Sequence, residues 1–256
     1  MEFPLTPLNR LKLARAFRDV LRVDLGIDCV LEGQMGKAFV DNVDYPAVFM
    51  IEQGDFWSYL AGDPAGKEAQ TMLENLSPLR MLMPSAPGWK ELLEDVYGER
   101  VHPNDRYIFN SAKVSLSHLE GLIENSPYRD RIVKIDVALA KQALYDCEGF
   151  EISAYGLSAN FVERGIGFCL LDNKKVVGVA YASLICSKGI EISIFVAPDY
   201  RRKGIATALG SFLVKDCLEY KMGEPHWDAS NPESCKLALR LGYKPVGAYQ
   251  AYYLSA

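Results

Sequence analysis

The chain has few residues of the kinds that build metal centres, membrane spans or nucleic-acid grips. Its three histidines, His102, His118 and His226, stand far apart with no ligand spacing between them, so no metal site is expected. None of the six cysteines forms a C-x-x-C pair, and most sit in apolar runs, which reads as small core residues in a reducing compartment. No apolar run approaches the ~20 residues that a spanning helix needs. Met1-Glu2-Phe3-Pro4 lacks a basic region followed by an apolar one, so no signal peptide is expected. Positive charge is not in excess: 28 Lys and Arg face 33 Asp and Glu, for a net charge of -5. General affinity for nucleic acid or an anionic membrane is therefore not expected. Gly66-Lys67 is followed by glutamate and lacks the upstream spacing of a phosphate-binding P-loop. These absences leave a cytoplasmic globular protein as the default.

At 256 residues the chain is long enough for one or two domains with a sizeable core. Thr6-Pro7 reads as an N-cap followed by proline at the first helical position, with Leu11, Ala14, Phe17 and Leu21 as the apolar stripe. Residues 28 to 60 have strand character, and Gln53-Gly54-Asp55 reads as a hairpin turn within them. A helix is predicted from Asp63-Pro64 to about Leu76, a short strand over Arg80 to Met83, and a further helix around Trp89 to Val96. The polar stretch from Asn104 to Pro127 carries a capping-box pattern at Ser117 and Glu120 and is read as the domain boundary. The expected domains are 1–125, an α/β unit of unassigned role, and 126–256.

The second domain reads as strand, helix, helix, a three-strand meander, helix, strand, helix, strand. This order predicts an α/β (α+β) fold with a mixed, mostly antiparallel sheet flanked by helices. At its centre, the run Glu191 to Val196 ends at Ala197-Pro198-Asp199, and Arg201-Arg202-Lys203-Gly204 then opens a helix. Unpaired N–H groups of a first helical turn, the helix dipole and three cations together suit a phosphorylated ligand.

Arg201-Arg202-Lys203-Gly204-Ile205-Ala206 resembles the [Q/R]-x-x-G-x-[G/A] signature of GNAT-superfamily acyl-CoA N-acyltransferases. A second block, Asn231, Ser234, Leu237, Gly242 and Tyr243, is similar to the N-x-x-[A/S]-x-x-L-x-x-x-x-G-[F/Y] pattern of that family. The resemblance covers about residues 126–256, and the two-part layout is similar to the zwittermicin-resistance type. It implies that acetyl-CoA is bound as co-substrate, its pyrophosphate held by backbone amides from Arg202 through Lys203, Gly204, Ile205 and Ala206 to Thr207, beside Arg201. Gly204 would let the backbone approach closely, and Ala206 must stay small for the same reason. The pantetheine arm would pair with the strand near Phe195 and Val196. Asn231 would contact the cofactor arm as well as capping its helix, with Ser234 one turn further on.

The implied reaction is direct attack of a small-molecule primary amine on the thioester, with backbone N–H groups near Val196 facing the oxyanion. An alkylammonium has a pKa near 10.4, so freeing the amine at neutral pH costs roughly 4–5 kcal/mol and calls for a base. Glu191 is the nearest carboxylate, but strand alternation points it with Ser193 and Phe195, whereas relatives with a strand glutamate carry it at the position of Ile190. The usual tyrosine acid falls on Ala238; Tyr200, Cys235, Tyr249, Tyr252 and Tyr253 are substitutes. His226-Trp227-Asp228 reads as core or cleft lining. The first half would shape the acceptor pocket together with Tyr145, Phe150, Tyr155 and Phe161. Two other readings fit the same residues: a non-catalytic acyl-CoA-binding module, and acetylation of a protein or peptide amine.

Overall fold

β-branched and aromatic runs alternate with amphipathic helices along the whole chain, and in a computed structural model they form two compact units. All residues except Ser85 are described. Unit 1 comprises 1–106 and 248–256, and unit 2 comprises 107–247.

In unit 1 the helices α1 (Pro7–Ala16) and α2 (Gly26–Leu31) lead into strands β1 (Lys37–Val40), β2 (Val48–Gln53) and β3 (Trp57–Gly62). Helix α3 (Lys67–Glu74), strand β4 (Arg80–Pro84) and helix α4 (Pro87–Tyr97) follow. Strand β5 (Val101–Asn110) and, at the other end of the chain, β11 (Lys244–Leu254) are each cut by the division between units. The sheet order here is β1-β2-β3-β4-β11, with β3 and β4 parallel because α3 carries the chain back across the sheet. Trp89, Leu93, Ala69 and Leu73 bury against Val48, Met50, Leu60 and Leu82 to form its core.

Unit 2 adds α5 (Leu116–Glu124), β6 (Ile132–Lys134), α6 (Val137–Asp146), α7 (Ser158–Arg164), β7 (Gly167–Asp172), β8 (Lys175–Cys186) and β9 (Gly189–Val196). Helix α8 (Ile205–Glu219), strand β10 (Glu224–Ala229) and helix α9 (Pro232–Leu241) complete it. Its strands run in the order β5-β10-β9-β8-β7-β6, antiparallel throughout except β9 and β10. The expected α/β class with a mostly antiparallel sheet is what the chain adopts. Ile205, Leu209 and Leu213 of α8 bury on one face of that sheet with Ile190, and Ile192, Ile194 and Val196 pack beside them. On the other face Phe150, Tyr155, Phe161 and Tyr181 interlock edge-to-face at centroid distances from 4.8 to 6.3 Å.

Several sequence expectations need correction. The boundary expected after residue 125 lies inside unit 2, because the polar stretch holds part of β5, which pairs with β10, and α5, which packs on α8. Ser115, not Ser117, caps α5 by accepting from the His118 N–H at 3.3 Å. Residues 28–31 belong to helix α2, where Asp24 accepts from the Gly26 N–H at 2.8 Å and starts the turn. The buried stripe of α1 is Leu13 with Phe17 behind it, while Leu11 and Leu21 are each 61% exposed. Helix α3 starts at Lys67, since Asp63 spends its carboxylate on a turn to the Ala65 N–H. The Gln53-Gly54-Asp55 hairpin and the Arg80 strand form as expected.

Candidate active site

The site begins where two parallel strands stop pairing. Strands β9 and β10 share three register pairs, Gly189–Glu224, Ile190–Pro225 and Glu191–His226. Beyond that rung β10 pairs with β5 instead, through Trp227, Asp228 and Ala229. The fork opens into a cavity of about 900 Å³, lined by Ile192, Ile194, Phe195 and Val196 on one side and Trp227, Asp228, Asn231 and Ser234 on the other.

At its open end the cavity meets the start of α8. Arg202 (φ +60°) and Gly204 (φ +84°) both take left-handed backbone conformations, which bend the loop around the first turn. No side chain caps that turn, and a Cβ added at Gly204 would meet no atom within 4 Å. The loop is tied from below. Arg201 Nε donates to the Val196 carbonyl at 3.0 Å, and Lys203 Nζ donates to the Asp199 carbonyl at 2.8 Å above the Tyr200 ring. Tyr200 donates its hydroxyl to Asp172 at 2.6 Å, and that bond raises its pKa above the ordinary phenol value. An exposed backbone nest, an uncapped helix start and three exposed cations form a cradle for a phosphate-bearing ligand.

Phe195, Val196, Arg201, Arg202, Gly204, Ile205, Ala206, Thr207, Asn231 and Ser234 all line this one cavity. Lys203 lines a neighbouring cavity of about 600 Å³, which shares Gly204, Thr207 and Arg240 with the first. Asn231 caps α9, its Oδ1 accepting from the Ser234 N–H at 2.8 Å, and Ser234 Oγ accepts from Trp227 Nε1 at 3.1 Å. Glu191 lies at the apex of the fork, its Oε2 2.8 Å from His226 Nδ1. Sequence reasoning had kept those two residues apart. It also missed the cavity-lining cations Lys236 and Arg240, whose only signal is their i, i+4 spacing on α9.

Other candidates fall away. Ala238 is fully buried in the α8–α9–β10 core, so no acid group stands there. Tyr249, Tyr252 and Tyr253 belong to unit 1 and interact with Arg106, Gln250 and Phe56 respectively. Tyr145 is 91% exposed, and Phe150, Tyr155 and Phe161 are packed core, so they do not line an acceptor pocket. Among the described residues no cluster of three or more His, Cys, Asp or Glu is placed to hold a metal ion, and no helix is long and apolar enough to cross a membrane.

The GNAT acetyltransferase family model matches residues 24–252. The chain belongs to that family. The match reaches well beyond the 126–256 expected from the signatures and takes in most of unit 1. A GCN5-related N-acetyltransferase-like protein from Streptococcus suis 89/1591 is 31% identical, covering 95% of this chain and 97% of its own at a TM-score of 0.84. The uncharacterized N-acetyltransferase YdfB of Bacillus subtilis (strain 168) is 22% identical over 231 residues, 85% of each chain. A GNAT-family acetyltransferase from Colwellia psychrerythraea shares the fold at 16% identity and a TM-score of 0.57, covering 100% of this chain and 99% of its own.

Proposed function

We propose that this protein is an acetyl-CoA-dependent N-acetyltransferase that acetylates a primary amine of a small molecule by direct attack. The observation that carries the reading is the fork between β9 and β10 opening directly onto the uncapped start of α8 at Gly204. The residues fit the co-substrate: the cradle at Gly204 has room that any Cβ would take, and the cavity of about 900 Å³ runs from β9 to the start of α8. Bound there, acetyl-CoA would supply an activated acyl group.

The chain's own residues would do the rest. Backbone N–H groups from Arg202 to Thr207 hold the pyrophosphate, with Arg201 and Lys203 adding charge. Among the described residues β10 pairs with β9 only as far as Glu191, so the edge of β9 around Phe195 and Val196 is open to an arm that pairs like an added strand. Asn231 holds the start of α9 against the cavity. Glu191 is the carboxylate of β9 itself. A thiol leaving group of pKa near 8.5 departs tolerably as thiolate, so the absence of a tyrosine at Ala238 does not forbid turnover.

A second reading, a non-catalytic acyl-CoA-binding module, draws on Ala238, where the acid tyrosine of many relatives is replaced by a core residue. Titration calorimetry with acetyl-CoA, followed by thiol-release assays over a panel of amines, tests both. Binding with turnover on a small amine supports the proposal. Binding with no turnover on any amine favours the module, turnover only on peptide amines moves the acceptor to protein, and no binding sinks all three.

A further inference from the structure

Unit 1 holds a cavity of its own, of about 580 Å³, which shares no lining residue with the fork between β9 and β10. That volume falls within the range of about 300–1,000 Å³ typical of small-molecule sites. Helix α3 forms one wall: Lys67 and Thr71 lie four residues apart, with Glu68 and Met72 beside them, so one helical face looks onto the space. Strands β1, β2 and β4 supply Phe39, Met50, Glu52 and Arg80 opposite. The polar end of this wall is incompletely paired. Arg80 keeps only 8% of its side-chain surface. Its Nε donates to the Ser77 carbonyl at 2.8 Å, and its Nη1 donates to Glu52 Oε1 at 2.6 Å and to Ser58 Oγ at 2.8 Å. Those bonds use the Nε hydrogen and both Nη1 hydrogens, and they leave the Nη2 hydrogens with no hydrogen bond among the described residues. Glu52 Oε2 likewise accepts none among them. A buried guanidinium with unmet donors costs free energy unless something in the cavity meets them.

We propose that this cavity binds a free α-amino acid with a large apolar side chain. The ligand's carboxylate takes the spare Nη2 hydrogens of Arg80, and its ammonium donates to Glu52 Oε2. Its side chain lies against Phe39, Met72 and Leu76, which are only partly buried against the core of unit 1 and so keep apolar surface in the cavity wall. The charge pattern calls for both charges on one molecule. A simple carboxylate would meet the like charge of Glu52, and a simple cation would meet that of Arg80. A zwitterion sets each of its ends against the opposite charge and leaves the buried pair neutral overall. The other charges nearby do not disturb this. Asp41 spends Oδ1 on the Ala47 and Val48 N–H groups, both at 2.9 Å, while Lys67 and Glu68 are exposed and of opposite sign.

The test uses the whole protein, carrying ¹³C-methyl methionine, with leucine and phenylalanine as probes. Met50 and Met72 line the cavity and Met222 does not. Saturable shifts are expected at the Met50 and Met72 methyl resonances, assigned through Met50→Leu and Met72→Leu, with Met222 unmoved. N-acetyl-leucine lacks the ammonium and leucinamide the carboxylate, so each should bind about tenfold or more weakly than leucine. Glu52→Gln keeps an acceptor for Arg80 and removes the charge; it should weaken leucine by about tenfold. Thr71→Trp, at an exposed position of α3, should fill the cavity and abolish the shifts while the melting temperature holds. No methyl shift with either probe, or shifts at Met222 in place of Met50 and Met72, overturns the inference. So does equal affinity for N-acetyl-leucine or leucinamide, or undiminished leucine binding in Thr71→Trp. The readout involves no acetyl transfer, so its outcome is independent of the acetyltransferase reading.

Discussion

Trp227 donates its indole N–H to the hydroxyl of Ser234 at 3.1 Å, tying β10 to the first turn of α9 across the floor of the cleft. The ring is buried and packs tilted against Tyr243, with centroids 5.3 Å apart. Ser234→Ala removes that N–H's protein partner and should destabilise the protein by about 0.5–1.5 kcal/mol. Urea denaturation, read as a lower midpoint at unchanged slope, measures it.

Gly204 and Gly247 make a matched pair for the phosphate cradle. At both, an added Cβ would meet no atom within 4 Å, but only Gly204 has a left-handed backbone, at φ +84°. Gly204→Val should lose about 1–2 kcal/mol of stability to that backbone and weaken acetyl-CoA binding by more than about tenfold. Gly247→Ala should change stability by less than about 0.5 kcal/mol and leave binding alone. Parallel melting and calorimetry separate the two effects. Equal affinity in Gly204→Val would remove the loop from the binding site.

Arg80 is buried in unit 1 with its guanidinium 2.6 Å from Glu52 and 2.8 Å from Ser58 Oγ. Arg80→Met strands a mostly buried carboxylate and a fully buried hydroxyl. The expected loss is about 2–4 kcal/mol, somewhat under the range for a completely buried pair because Glu52 keeps 21% of its side-chain surface. A double-mutant cycle with Glu52→Gln should recover part of that loss.

Burial pushes the thiol of Cys147 up to about 11 and those of Cys169 and Cys217 up to about 12. The same desolvation lifts the Tyr97 hydroxyl to about 12. These groups keep their protons in the folded state while the unfolded chain loses them near the ordinary values of 9.0 and 10.0. The unfolded state therefore binds fewer protons above pH ~9, and stability must fall as pH rises from there toward 11–12. It is fully present below pH ~8. Melting temperatures across pH 7–11 check the sign. At pH 8 a soluble alkylating agent should modify the half-exposed Cys235 well before the buried thiols.

What the sequence determined by itself is what local chemistry decides. The signature loop was legible because a glycine between cations and a helix start has few conformations open to it, and Gly204 adopts a left-handed one. Asn231-Pro232 and Gly242 likewise mark the two ends of α9 through cap geometry that spans only a few residues. Even the face of Glu191 followed from simple alternation. The tertiary structure decided the rest. Residues 104–110 read as part of a polar boundary because only Arg106 and Phe109 among them are buried, yet β10 recruits their end as a strand. Glu191 and His226 meet because α8 returns the chain parallel to β9 and the register brings them opposite each other, one rung before the strands part. No spacing rule reads such a pair from sequence, because a crossover helix sets the register through packing rather than through the residues it joins.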